Sequence, residues 1–137
     1  LNLSAAVALT VELLPLLARQ RSSAVVNVTS ALALAPKASA PVYCATKAGL
    51  RAFTQALRYQ CEDRLQHVRI VEVLPPLVDT AMNAGRGRGK MSADDCAAEI
   101  VRGLQRGGDE IFVGKTKLLK VVMSASPRLA RRIMRGQ

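Results

Sequence analysis

The chain is poor in rings: its 137 residues include no Trp, two Tyr, two Phe and a single His. Single-stranded nucleic acid is gripped by aromatic stacking platforms, so nucleic acid is not an expected partner despite a formal charge of +10. The charge is also unevenly placed. Residues 115–137 hold seven basic residues and no acidic one, which leaves 13 bases against 10 acids over residues 1–114. The three cysteines, Cys44, Cys61 and Cys96, are odd in number and lack the spacing zinc requires. Neither a disulfide framework nor a metal site is expected, and reduced thiols in a cytoplasmic protein are. The apolar opening from Leu1 to Ala18 is interrupted by Glu12 and Pro15 and follows no basic segment, which argues against both a signal peptide and a membrane span.

With 50 % hydrophobic and 22 % charged residues, the composition is that of one ordinary globular domain. Leu3, Val7, Val11 and Leu14 recur at helical spacing, so the chain is expected to enter in mid-fold, inside a helix that Asn2 or Ser4 caps and Pro15 bends. Ala24–Ser30 reads as an inner parallel strand buried on both faces. Pro41–Arg64 reads as a long helix with Leu50, Phe53 and Leu57 on one side. Val68–Leu74 is a second strand, stopped by Pro75-Pro76. Ser92-Ala-Asp-Asp95 has a capping-box pattern and opens a helix that ends at Gly107-Gly108, and Glu110–Val113 follows as a third strand. Alternating helices and strands predict an α/β fold with a parallel sheet, whose ligands bind beyond the carboxyl ends of the strands. Three strands make a thin sheet, so a strand that pairs beside the first is expected to be missing.

Chemistry concentrates at Tyr43-Cys-Ala-Thr-Lys47, where a phenol and an ammonium four residues apart share one helix face. A cation beside a phenol favours the phenolate, which suits proton transfer to or from an alcohol or carbonyl. Taken alone, the pair reads equally as a surface helical pair. Ser30 strengthens the catalytic reading, because it stands thirteen residues before the tyrosine, at the carboxyl end of a strand.

With these residues the sequence resembles the short-chain dehydrogenase/reductase family. Ser30 and Tyr43-x-x-x-Lys47 match its serine and Tyr-x-x-x-Lys motif, Asn2 resembles its catalytic asparagine, and Pro75-Pro-Leu-Val-Asp-Thr80 resembles its segment beside the nicotinamide. The resemblance implies the C-terminal catalytic part of a Rossmann-type doubly wound parallel sheet, with the N-terminal dinucleotide-binding strands absent. It implies NAD or NADP as cofactor and a small alcohol or carbonyl as substrate. By the same resemblance Tyr43 is the general acid/base, Ser30 holds the substrate oxygen, and Lys47 holds the nicotinamide ribose. Asn2 supports a proton-relay water, while Val78 and Thr80 contact the carboxamide. Two departures stand out: Pro76 replaces a glycine, and Glu72 stands where an asparagine is common. Gly85-Arg-Gly-Arg-Gly89 does not open a helix directly after a strand, so it is no phosphate loop. It matches instead the family's mobile substrate lid, and its basic residues read as solvated.

Residues 1–114 form the catalytic part on this reading, and 115–137 a basic amphipathic helical tail. Arg128, Arg131, Arg132 and Arg135 fall on one arc, with Leu129, Ala130, Ile133 and Met134 opposite. Such a helix lies weakly on an anionic membrane, docks on an acidic partner, or packs on its own domain. The resemblance further implies a homo-oligomer paired through the first two helices. The competing functional readings are a truncated, non-catalytic family remnant and a basic binding module without a complete cofactor site.

Overall fold

The structure, a computed structural model, describes residues 1–81 and 89–135. Helices and strands alternate as α1 (Ser4–Leu17), β1 (Ser23–Val28), a 3-10 turn (Ala31–Ala33), α2 (Pro41–Arg64), β2 (Val68–Leu74), α3 (Ala93–Gln105) and β3 (Glu110–Phe112). Two short helices close the chain, α4 (Thr116–Ala125) and α5 (Pro127–Arg135). The strands form one parallel sheet in the order β1-β2-β3, as the alternation predicts.

The central strand β2 is buried on both faces because helices cover both. Toward α1 and α2, Val68 and Ile70 pack with Leu57 and Cys61, and Leu14, Leu17, Val25 and Phe53 close around them. On the other face Val71 and Val73 pack with Ile111, Val113 and Cys96 of α3, extended by Ile100 and Leu104. No buried residue of this second cluster comes from β1. Ala24, Val26 and Val28 accordingly stand exposed, which corrects the expectation of a strand buried on both faces. A Val-rich run satisfies the backbone of an edge strand as well as that of an inner one, and the layer that would cover the outer side is not encoded in it.

Local chemistry explains the element ends. Pro41 opens α2 from the first turn, where its missing N–H costs nothing, and Leu50, Thr54, Leu57 and Cys61 recur on its buried side. The Ser92 hydroxyl caps α3 by accepting the Asp95 N–H at 3.0 Å and donating to its carboxylate at 2.7 Å. Gly107, at φ +77°, turns the chain out of that helix in a conformation L side chains avoid. Neither Asn2 nor Ser4 caps α1: Leu3 holds that position without a side-chain bond. Packing anchors this end instead, since Leu3 lies so close to α2 that a Cβ on Gly49 would stand 3.0 Å from its Cδ2.

The tail folds back on the body. Ala130 and Met134 of α5 pack with Leu119 of α4 against Ala35, beside Leu32 and Leu34 of the segment that follows β1. The Ala38 N–H also reaches the Arg135 carbonyl at 3.5 Å. Among the described residues no helix is long and apolar enough to cross a membrane.

Candidate active site

Because β1 and β2 are parallel neighbours, their carboxyl ends open on the same edge of the sheet. Ser30 lies two residues beyond β1 in extended backbone. Its Oγ accepts the Leu32 N–H at 3.1 Å and holds the 3-10 turn in place. A hydroxyl used as acceptor still has its proton to donate. Tyr43 sits in the first turn of α2, with 38 % of its surface exposed. One turn further on, Lys47 bends back so that Nζ donates to the Val28 carbonyl at 2.8 Å and lies 5.8 Å from the centroid of the Tyr43 ring. Burial lowers the Lys47 pKa from its ordinary value. The ammonium thus ties the face of α2 that carries the phenol to the end of the strand that leads to Ser30.

The other residues singled out by sequence are carried by the segments before α1 and after β2. Asn2 is exposed in the turn before α1, and no hydrogen bond joins it to Ser30, Tyr43 or Lys47. Its neighbour Leu3 nevertheless touches α2 at Gly49, two residues past Lys47. Val78 and Thr80 follow β2, on the edge where Ser30 follows β1. Val78 bridges to Met91, fixed by the Asp79 N–H to Met91 carbonyl bond at 2.8 Å and the Met91 N–H to Leu77 carbonyl bond at 3.0 Å. Gly85, Arg86, Gly87 and Arg88 lie outside the described residues. Cys44, Cys61 and Cys96 are buried free thiols, and no metal-ligating cluster occurs among the described residues.

Directly beneath the candidate site lies a charged network that sequence reasoning missed. Glu72, only 2 % exposed at the centre of β2, accepts the Thr29 hydroxyl at 2.6 Å and pairs with Arg51 of α2. The same guanidinium reaches Glu110 of β3 at 2.7 Å. Burial pushes the Glu72 carboxyl pKa up, against the opposing pull of the Thr29 hydroxyl and the Arg51 charge. Thr29 precedes Ser30, and Arg51 lies one turn past Lys47 on the same face of α2. The network therefore clamps the two elements that carry the candidate catalytic groups. A carboxylate within an apolar strand requires a buried partner, and that was the signal available for finding it. A hollow of about 350 Å³ lined by Arg58, Cys61, Val68, Arg69, Ile70 and Asp109 lies at the opposite, amino-terminal end of β2 and touches none of the candidate residues.

The parallel sheet with helices on both faces is that of a Rossmann-type α/β protein, and solved structures share the fold. A short-chain dehydrogenase from Burkholderia cenocepacia, crystallised with NADP, superposes with a TM-score of 0.88 at 22 % identity, over 97 % of this chain and 55 % of its own. Another from Sphingobium yanoikuyae, in complex with NADPH, gives 0.76 at 22 % identity, over 99 % of this chain and 56 % of its own. The family description "short chain dehydrogenase" matches residues 1–90. The chain belongs to the short-chain dehydrogenase family. In sequence it is similar to the uncharacterized oxidoreductase DltE of Bacillus subtilis, with 40 % identity over 118 residues, 81 % of this chain and 46 % of that protein. It is also similar to the NADP-dependent 3-hydroxy acid dehydrogenase of Schizosaccharomyces pombe, with 35 % identity over 95 residues, 69 % of this chain and 36 % of that protein. The chain spans about half the length, or less, of these relatives.

Proposed function

We propose that this chain is the catalytic portion of an NAD(P)-dependent oxidoreductase that interconverts a small-molecule alcohol and its carbonyl. The observation that carries the reading is the bond from Lys47 Nζ to the Val28 carbonyl, with the Tyr43 ring beside the same ammonium. These residues fit the nicotinamide end of a dinucleotide. The Tyr43 phenol is open to solvent, Lys47 spends one N–H on the strand and keeps two donors for ribose hydroxyls, and Ser30 keeps its proton. The phosphate half has no counterpart here: among the described residues no helix opens from a glycine-rich turn directly after a strand. NADP and NADPH on the solved relatives support the cofactor class.

When bound, the nicotinamide supplies or accepts the hydride. Tyr43 Oη gives its proton to the carbonyl oxygen in reduction and takes one from the alcohol in oxidation. Ser30 Oγ donates to that same oxygen and steadies the charge developing on it. Lys47 orients the ribose and keeps positive charge beside the phenol. Asn2 supports a water at the start of α1, and Val78 and Thr80 line the carboxamide side. The protein acts as a homo-oligomer on this reading, for which the exposed Leu9, Leu13 and Leu16 of α1 supply apolar surface. A monomeric mass at micromolar concentration would count against it.

The test uses calorimetric titration with NADH and NADPH, followed by turnover on a panel of ketones and aldehydes. In the full-length protein Tyr43→Phe should lower kcat by about 10²- to 10⁴-fold while leaving dinucleotide affinity largely intact, and Lys47→Ala should weaken binding itself. A folded full-length protein that binds neither dinucleotide sinks the proposal. Binding by the full-length protein but not by the 137-residue chain assigns this chain to the non-catalytic reading.

A further inference from the structure

We infer that the outer side of the α4–α5 pair docks on an anionic lipid surface. Residues 115–137 carry seven cations and no carboxylate side chain. Arg128, Arg131, Arg132 and Arg135 are all exposed on α5. None of the four makes an ion pair among the described residues, whereas Arg51, Arg69, Lys90 and Lys117 all pair with carboxylates. These four arginines do not hold the helix in place, because Ala130 and Met134 do so from the other side. Between the basic arc and the buried stripe stand Leu129 and Ile133, one turn apart, 50 % and 47 % exposed, each directly after an arginine. On α4, Leu118 and Val121 are exposed too, but their basic neighbours are engaged, Lys117 with Glu99 and Lys120 over the Phe112 ring.

Uncompensated positive charge calls for a negative partner, and the aliphatic side chains among it call for hydrocarbon beside that charge. The interface of an anionic bilayer supplies both at the depth of one helix. A nucleic acid supplies phosphate alone, and residues 115–137 offer no aromatic ring to stack on a base. Because α5 is already folded and seated on Ala35 and Leu119, docking orders no new segment. Ser30, Tyr43 and Lys47 take no part, so the inference stands apart from the oxidoreductase reading.

The experiment is flotation of the full chain with phosphatidylcholine vesicles, with and without phosphatidylglycerol, at low and high salt. Binding is expected only with the anionic lipid, and to fall with salt. Arg128→Gln with Arg132→Gln should weaken it about thirtyfold, each arginine near such a surface counting about fivefold. Leu129→Ser with Ile133→Ser should weaken it about tenfold or more. All four side chains are exposed, and unchanged circular dichroism verifies that each variant is folded. Absence of binding, equal binding to neutral vesicles, or indifference to the arginine pair overturns the proposal. Anionic binding that ignores the Leu129 and Ile133 changes and is abolished equally by soluble polyphosphate overturns it too, in favour of a purely ionic partner.

Discussion

Arg51→Met tests the clamp beneath the candidate site. It keeps a long side chain on α2 and removes the guanidinium that lies between Glu72 and Glu110. Glu110 is 26 % exposed and can turn to water, so its share of the loss is small. Glu72 is 2 % exposed and keeps only the Thr29 hydroxyl. Removing one partner of a buried pair costs about 3–5 kcal/mol. Because Arg51 is itself 22 % exposed, the lower end applies, about 3 kcal/mol. Glu72 has one escape, which is to take up a proton. Burial already raises its pKa, and without Arg51 the value rises further. The folded chain then holds a proton that the unfolded chain has released. The stability this proton confers is complete below the unfolded value of about 4.3 and is lost as pH rises through the folded value. The penalty of Arg51→Met should therefore shrink on acidification, by up to about 1.4 kcal/mol per pH unit between the folded Glu72 value of the variant and the lower, already raised one of the parent. Urea unfolding of both proteins between about pH 5 and 8 measures it. Arg51→Met with Glu72→Met should recover most of the loss, because an apolar replacement of a buried pair is close to neutral. A penalty independent of pH, or a double variant no better than the single one, refutes the reasoning.

A Cβ placed on Gly103 of α3 would stand 2.7 Å from Ile111 Cγ2 and 2.9 Å from its Cδ1. Overpacking of about 1–3 kcal/mol outweighs a helix-propensity gain of about 1 kcal/mol, so Gly103→Ala should lower the urea midpoint, and a higher midpoint would contradict the packing of α3 on β3. Burial also raises the thiol pKa of Cys61 and Cys96, and Cys44 is buried as well. All three should react with a disulfide reagent only upon unfolding, and rapid labelling of the native chain would contradict their burial.

Much of the architecture is legible in local sequence because punctuation and periodicity coincide. Pro41 and Pro75 bracket α2 and β2, and Ser92 and Gly107 bracket α3, so those elements run essentially where their residues predict. The Tyr43–Lys47 spacing is legible for the same reason, being set by the pitch of one helix. What escapes is non-local. Lys47 finds a backbone carbonyl on β1, and Arg51 finds Glu72 and Glu110 on two strands, the latter 59 residues away. No motif encodes either meeting. The start of α1 escapes as well, because the contact of Leu3 with Gly49 is non-local and neither Asn2 nor Ser4 caps the helix.

β1 lies at the margin of the sheet, with its outer face uncovered. An unpaired strand side is a template that accepts any extended segment in register. A segment tethered to the same polypeptide meets it at a rate set by the tether, whereas a segment from another molecule meets it at a rate that grows with concentration. The free edge of β1 is thus a matter of kinetics, settled by whichever extended segment reaches it first.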